Sequence, residues 1–264
     1  MTKSPKYTSI VRKRACNVKI KALEKKLEET RDIHARFFHA LSFELRTPLN
    51  AIIGFSQLML DRPEYYDIPE LPELYKDDLA TIYNNGRRLS FFIHDTLDLA
   101  LVELDRLQID MQKQSVDYDI NAIVDLAKNL SQKSQIDLIV KISDSLPLLY
   151  VDRKRLRQIL FSLYHDAIIH TTDSVTLEVS ENDNNQIQFA LSDTGRRIKP
   201  YIRTLQEQFN ALDEGRYSLH THGGSGLVLS YQLVKLMGGK LWIESIEEQG
   251  MTVYFTLQKH TGQE

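Results

Sequence analysis

A chain of 264 residues is long enough for one large or two ordinary domains. Its 42% hydrophobic and 26% charged content is that of a globular protein, and a net charge of −3 gives no general attraction to nucleic acid or to an anionic membrane. The single cysteine, Cys16, excludes an internal disulfide and fits a reducing compartment. No apolar run is long enough to span a bilayer, and no signal peptide begins the chain, so we expect a cytoplasmic protein.

Residues 1–17 are polar and basic, and we expect them to form a flexible tail. From residue 18 onward, apolar or small side chains recur at alternating spacings of three and four, which defines a heptad seam. The seam consists of Ile20, Leu23, Leu27, Thr30, His34, Phe37 and Leu41. The segment is either an amphipathic helix packed within its own chain or a parallel coiled coil between two chains. Because the seam is unbroken, we favour the dimeric coiled coil.

Pro48 lies inside this pattern and predicts a kink, because proline removes one helical hydrogen bond. Residues 61–72 contain three prolines and predict a connection between helices. A second heptad pattern follows, formed by Leu79, Ile82, Gly86, Leu89, Ile93, Thr96, Ala100 and Leu107. Residues 18–112 are therefore predicted to form a helical hairpin. Pairing two hairpins into the four-helix bundle of a homodimer would bury the apolar stripe.

Residues 115–260 mix helices and strands without a regular strand–helix–strand repeat. Helices are predicted over residues 119–134, 152–170 and 227–237. Strands are predicted over residues 136–142, 175–179, 187–191, 241–246 and 251–257. This order of elements predicts an α+β sandwich as the second domain.

Residues 42–49 read Ser-Phe-Glu-Leu-Arg-Thr-Pro-Leu. This segment resembles the phosphoacceptor box of sensor histidine kinases, His-Glu-Leu-Arg-Thr-Pro-Leu, with Phe43 in place of the phosphorylated histidine. A phenyl ring has no lone pair with which to attack a γ-phosphorus and cannot accept a proton, so it excludes autophosphorylation at this position. The resemblance implies a histidine pseudokinase, or a chain that has kept another activity of the family.

Residues 115–258 resemble the GHKL-type ATP-binding domain that histidine kinases share with type II topoisomerases and heat-shock 90 chaperones. The resemblance is carried by residues 158–171, 193–198 and 224–229 and by the closing segment from Met237 onward. It implies that ATP is bound by Asp166, Asp193, Gly195, Gly224 and Gly226. In this comparison Asp166 holds Mg²⁺ and Asp193 accepts the adenine amino group. Gly224 and Gly226 begin a helix whose backbone N–H groups can receive phosphate.

Several positions of this site depart from the family pattern. Asp166 replaces an asparagine, Ile169 a lysine, and Arg197 and Val228 replace glycines. Mg²⁺ accepts carboxylate oxygen readily, but arginine does not suit a close backbone approach, and a branched side chain at 228 can obstruct the pocket. The lid between Phe209 and Gly223 is expected to be short. The sequence leaves the binding of ATP and Mg²⁺ open.

Glu44 and Thr47 are the surviving functional residues of the first box. The Glu-x-x-Thr spacing resembles the signature of phosphatases that act on phosphorylated response regulators, in which the threonine orients a water molecule. Residues three apart share a helix face, so both side chains can face one docked partner. The alternative is that Arg-Thr-Pro only shapes the kink.

The remaining histidines give weaker signals. His39 lies one turn before Phe43, but it lacks an acidic residue at the next position, which is Ala40. His34 falls on the heptad seam, where packing is expected. The pair His220 and His222 lies in a glycine-rich loop without a surrounding ligand set, so no metal site is expected there.

We therefore expect a two-component signalling protein that cannot autophosphorylate at Phe43. It would act as a pseudokinase scaffold that binds a response regulator or an active histidine kinase, as a homodimer and without nucleic acid or a membrane span. The alternatives are a response-regulator phosphatase that uses Glu44 and Thr47, and a residual ATP-dependent kinase that acts in trans.

Overall fold

The protein is described by a computed structural model that covers residues 5–68, 70–115, 120, 136–143, 146–171, 173–195, 199–214, 225–246 and 250–260. The chain forms two compact units, residues 1–107 and residues 108–264.

The first unit is a helical hairpin. Helix α1 spans Pro5–Asp61, a short 3-10 helix spans Pro63–Tyr66, and helix α2 spans Glu73–Glu103. The two long helices approach closely at Gly86, where an added Cβ would lie 3.0 Å from Ile53 Cγ1. A larger side chain at residue 86 would therefore push the helices apart.

Helix α1 begins earlier than the sequence indicated. It starts at Pro5, so the expectation of a flexible tail over residues 1–17 is wrong for residues 5–17. The polar composition of this stretch does not prevent a helix, because lysine and arginine are good helix formers. The helix is also continuous across Pro48, and the kink expected there stays a prediction.

The far end of the hairpin is closed by ion pairs. Arg106, which follows α2, binds Glu28 and Asp32 of α1, and its Nε lies 2.9 Å from Asp32 Oδ1. Arg31 of α1 pairs with Asp105 at 3.2 Å. These contacts fix the residues after α2 against α1.

The second unit is built on a five-stranded mixed sheet. Its strands are β2 (Asp137–Ile142), β4 (Ser174–Glu181), β5 (Gln186–Asp193), β6 (Lys240–Ile246) and β7 (Gly250–Gln258), in the order β2-β4-β5-β7-β6. Among these described strands, the β2–β4 pairing is parallel and the other pairings are antiparallel. The side chains of Val175, Leu177 and Val179 are buried at alternating positions of β4, as the predicted period of two requires.

Three helices of the described part of the chain accompany this sheet: α3 (Arg153–His170), α4 (Lys199–Asp213) and α5 (Ser225–Leu236). Helix α3 begins at Asp152, whose side chain accepts a hydrogen bond from the backbone N–H of Arg155. Helices α3 and α5 pack against each other, α3 also contacts β5, and α5 contacts β6 and β7. The core contains Phe189 and Phe255, whose rings stack with centroids 4.4 Å apart.

Sequence analysis missed three elements of this unit. Strands β1 (Gln112–Gln114) and β3 (Leu149–Val151) pair with each other and have only three residues each, too few to show a period. Helix α4 continues past Phe209 to Asp213, so the lid cannot begin at Phe209 as expected. The helix predicted over 119–134 lies outside the described residues except for Ile120, which is helical and buried.

Candidate functional site

The residues of the first box lie on the exposed surface of α1. Phe43 is 68% exposed, and Glu44 and Thr47 are exposed beside it. The Thr47 hydroxyl donates a hydrogen bond of 3.4 Å to the backbone carbonyl of Phe43. A ring that is exposed to this extent contributes little to the packing of the single hairpin.

A cross-helix pair that the sequence did not indicate lies close to this surface. The Arg46 guanidinium Nη2 lies 2.9 Å from Nε2 of His94 on α2. Nδ1 of His94 lies 2.8 Å from the carbonyl oxygen of Ser90. Because a carbonyl only accepts, Nδ1 carries the proton and Nε2 accepts from Arg46. The pair joins residues from both helices, so no local pattern could have revealed it.

Of the other histidines that the sequence analysis singled out, the structure describes His34 and His39. His39 is exposed one turn before Phe43, and His34 is exposed in the single chain. His220 and His222 lie outside the described residues. Among the residues that the structure describes, no group of three or more metal-ligating side chains could hold a metal ion.

In the second unit, Asp193 and Gly195 lie where β5 ends. Asp193 is 6% exposed, and its Oδ1 accepts a hydrogen bond of 2.8 Å from the backbone N–H of Gly195. A Cβ on Gly195 would lie 2.1 Å from the carbonyl oxygen of His170, so only glycine fits this approach to the end of α3. The hydroxyls of Thr171 and Thr194 hydrogen-bond across the same junction at 3.0 Å.

Asp166 lies in the last turns of α3, and its side chain is 16% exposed. The Tyr201 hydroxyl on α4 donates a hydrogen bond of 2.8 Å to Asp166 Oδ1. Nε2 of His170 lies 3.8 Å from the same oxygen, and the rings of His170 and Tyr201 lie 5.3 Å apart. A carboxylate offers about four lone-pair positions on its two oxygens, and metal-binding carboxylates are commonly hydrogen-bonded as well. The contact with Tyr201 therefore does not exclude Mg²⁺ at Asp166.

Gly226 lies in the first turn of α5, and its carbonyl accepts a hydrogen bond of 2.7 Å from the Ser230 hydroxyl. Val228, which stands where the family has a glycine, is 4% exposed and buried within the unit. Gly224 and Arg197 lie outside the described residues, so their expected roles stay predictions.

Two family models match the chain. The His Kinase A (phospho-acceptor) domain matches residues 33–104, and the Histidine kinase-, DNA gyrase B-, and HSP90-like ATPase matches residues 151–261. No helix in the described part of the chain has the length and apolar character that a bilayer crossing requires.

Curated relatives agree with these matches. The chain is 30% identical over 246 residues to the signal transduction histidine-protein kinase BarA of Escherichia coli (strain K12), which covers 90% of this chain and 26% of BarA. It is 30% identical over 220 residues to the aerobic respiration control sensor protein ArcB homolog of Haemophilus influenzae, which covers 82% of this chain and 65% of that protein. The chain thus corresponds to only part of each relative.

Solved structures show the same fold. Full-length ShkA in complex with AMPPNP matches with a TM-score of 0.62 and 23% identity, over 87% of this chain and 47% of ShkA. The histidine kinase AdeS of Acinetobacter baumannii matches with a TM-score of 0.55 and 16% identity, over 83% of this chain and 98% of AdeS.

The predicted fold class, a helical hairpin domain followed by a GHKL-type α+β domain, is confirmed. With both domains in this order, the chain has the two core domains of sensor histidine kinases, which supports a place in two-component signalling.

Proposed function

We propose that this chain is a histidine pseudokinase that binds a response regulator or an active histidine kinase without carrying the phosphoryl group at the usual position. The observation that supports this most directly is Phe43, 68% exposed at the phosphoacceptor position. A phenyl ring cannot be phosphorylated, but an exposed aromatic ring surrounded by polar side chains is well suited to protein binding.

The proposal includes a homodimer. In the single chain, the heptad seam leaves apolar side chains exposed, among them Leu23 at 59%, Leu27 at 56% and Phe37 at 60%. Pairing with a second hairpin would cover this seam. The same seam suits a heterodimer with an active kinase.

The test combines a phosphorylation assay with a binding assay. The purified chain is incubated with radiolabelled ATP, and no acid-labile phosphohistidine is expected. Receiver domains encoded in the same genome are then screened individually for binding to the immobilised chain. Phe43→Ala is expected to weaken binding of the matched receiver about tenfold or more, as loss of a buried aromatic contact does.

Phe92→Ala is the matched control, because Phe92 is a 54% exposed phenylalanine on α2 outside the heptad seam. It should leave receiver binding unchanged. Label on the natural chain that survives base and is lost in acid, or equal losses for both variants, would contradict the proposal.

A phosphatase is the second candidate, and the Thr47 hydroxyl favours it. Its bond to the Phe43 carbonyl is 3.4 Å long, whereas the corresponding bonds of Thr30 and Thr96 are 2.8 and 2.7 Å. A weakly held hydroxyl can turn toward a water molecule at a docked aspartyl phosphate. Exposed Glu44 lies on the same face.

The phosphatase assay follows the lifetime of a receiver domain phosphorylated with acetyl phosphate. The chain should shorten this lifetime, and Thr47→Ala should abolish the effect. Thr81→Ala is the control, because Thr81 is an exposed threonine of α2 outside the heptad seam. If the chain binds the phosphorylated receiver without changing its lifetime, the phosphatase function is excluded and the scaffold function remains.

A further inference from the structure

One histidine of the hairpin has a fixed tautomer and a cation beside its second ring nitrogen. His94 of α2 donates its Nδ1–H to the carbonyl oxygen of Ser90 at 2.8 Å, and its Nε2 accepts from the Arg46 guanidinium of α1 at 2.9 Å. A protonated ring has no lone pair with which to accept, so the ring is neutral in this arrangement. The lone pair on Nε2 is therefore a potential nucleophile.

Both partners of His94 suit the transfer of a phosphoryl group to Nε2. Attack on phosphorus leaves positive charge on the ring, and the Ser90 carbonyl oxygen, which accepts from Nδ1–H, stabilises that charge. The planar guanidinium of an arginine binds two phosphoryl oxygens at once. Arg46 is exposed, so its guanidinium can turn from the ring to the phosphoryl oxygens as the new bond forms.

His94 lies where a docked protein can reach it. Its side chain is partly exposed, and it is not a member of the heptad seam, which passes through its neighbours Ile93 and Thr96. Arg46 follows Phe43 by three residues and therefore shares its face of α1. A receiver domain that docks on Phe43 would thus place its aspartyl phosphate on the side of the hairpin that carries Arg46.

We propose that His94 is a phosphoacceptor, displaced from residue 43 to α2, which takes the phosphoryl group from the aspartyl phosphate of a docked receiver. The Nε2 lone pair forms the N–P bond, the bond from phosphorus to the aspartyl oxygen breaks, and its electron pair stays on the receiver carboxylate. The Nδ1 proton remains on the ring. ATP takes no part, so the absence of labelling by ATP is still expected. The choice of a receiver as donor rests on the proposed function, whereas the reactivity of His94 does not.

The reactivity is tested with phosphoramidate, a small phosphodonor for histidine whose P–N bond breaks with loss of ammonia. The full chain is treated at neutral pH, and mass spectrometry of its peptides measures the phosphorylation of each histidine. His39, exposed on α1, is the internal reference. His94 should react about tenfold faster than His39, the advantage expected from one charge-assisted hydrogen bond to the phosphoryl group.

Arg46→Ala should remove most of this advantage, and Arg46→Lys, which keeps the charge, should retain part of it. Arg62→Ala is the matched control, because Arg62 is an exposed arginine of the same unit that contacts Tyr65. The proposal is overturned if His94 reacts no faster than His39, or if Arg46→Ala and Arg62→Ala have the same effect.

The donor is tested with the matched receiver, phosphorylated with radiolabelled acetyl phosphate and then freed of the excess reagent. Acid-labile label should pass to the natural chain and not to His94→Gln. A phosphatase would instead release inorganic phosphate whether or not His94 is present. Receiver binding without transfer to His94 overturns the inference and leaves the scaffold in place. If no receiver binds, the proposed function fails, and the phosphoramidate result still decides whether His94 is a phosphoacceptor.

Discussion

The hairpin and the sandwich differ in where they place their apolar side chains. In the hairpin, large apolar side chains lie in water, including Leu23, Leu27 and Phe37. In the sandwich, Phe189, Phe255 and Leu156 are fully buried. The sandwich therefore supplies its own core, whereas the hairpin needs a second surface to cover it.

The same contrast explains which substitutions each unit can tolerate. Phe43 is exposed, so exchanging an imidazole for a phenyl ring there changes the chemistry without disturbing any packing. Gly195 is enclosed by the His170 backbone, so its replacement would disturb the fold. Chemistry on an exposed helix face can be lost with little effect on stability, while a backbone approach inside the sandwich cannot.

The largest effect is expected from emptying the sandwich core. Phe255 is fully buried and stacked on Phe189, so Phe255→Ala should lower the free energy of unfolding by about 3–5 kcal/mol. The single tryptophan, Trp242 in β6, reports this transition by fluorescence in urea. Phe55→Ala, at a 61% exposed position of the hairpin, should shift the Trp242 transition by less than about 0.5 kcal/mol. Similar shifts for both would contradict the comparison.

The hairpin should respond through association rather than through the Trp242 transition. Leu27→Ser on the seam should weaken self-association about ten- to hundredfold, because each copy loses a leucine buried in the dimer. Leu74→Ser, at a 72% exposed position, is the control and should have no effect. Sedimentation equilibrium measures both, and a natural chain that stays monomeric would refute the dimer.

At one end of the sandwich, the side chain of Asp152 accepts hydrogen bonds from two backbone N–H groups. Its carboxylate accepts from Arg155 N at 3.1 Å and from Asp110 N at 2.9 Å. Asp152→Ala should destabilise the sandwich by about 1–2 kcal/mol, the range for a helix cap. Asp152→Asn keeps an acceptor oxygen and should retain most of the stability. Urea unfolding followed at Trp242 distinguishes the two variants.

The smallest effect is expected at Asp213. Hydrogen bonds from Lys235 and Tyr231 lower the pKa of its carboxyl group. A pKa that is lower in the folded state stabilises the fold above the unfolded-state pKa, and this stabilisation is lost as the pH falls through the folded-state pKa. The side chain is 53% exposed, so the contribution is at most about 0.5 kcal/mol.

Asp213→Asn should therefore be slightly less stable than the natural chain near neutral pH, and the two should converge in acid. Unfolding measured by Trp242 fluorescence across pH gives the difference. A difference that grows as the pH falls would mean that the carboxylate is not stabilised by these partners.

Local patterns predicted most of the elements. The spacing of three and four indicated α1 and α2, and the alternation at Val175, Leu177 and Val179 indicated β4. Helix α4 was missed because the sequence analysis predicts no element over residues 199–208 and assigns the residues after Phe209 to a lid. The three-residue strands β1 and β3 gave no period to detect.

The sequence by itself determined the order of the two domains and the chemistry of position 43, because periodicity and side-chain type are local properties. Only the tertiary structure decided that Arg46 contacts His94 and that Tyr201 binds Asp166. These partners are far apart along the chain, and their contact depends on how two helices are placed by a core that neither residue belongs to. For the same reason, the hydrogen-bond partner of Asp166 could not be inferred from the identity of this residue alone.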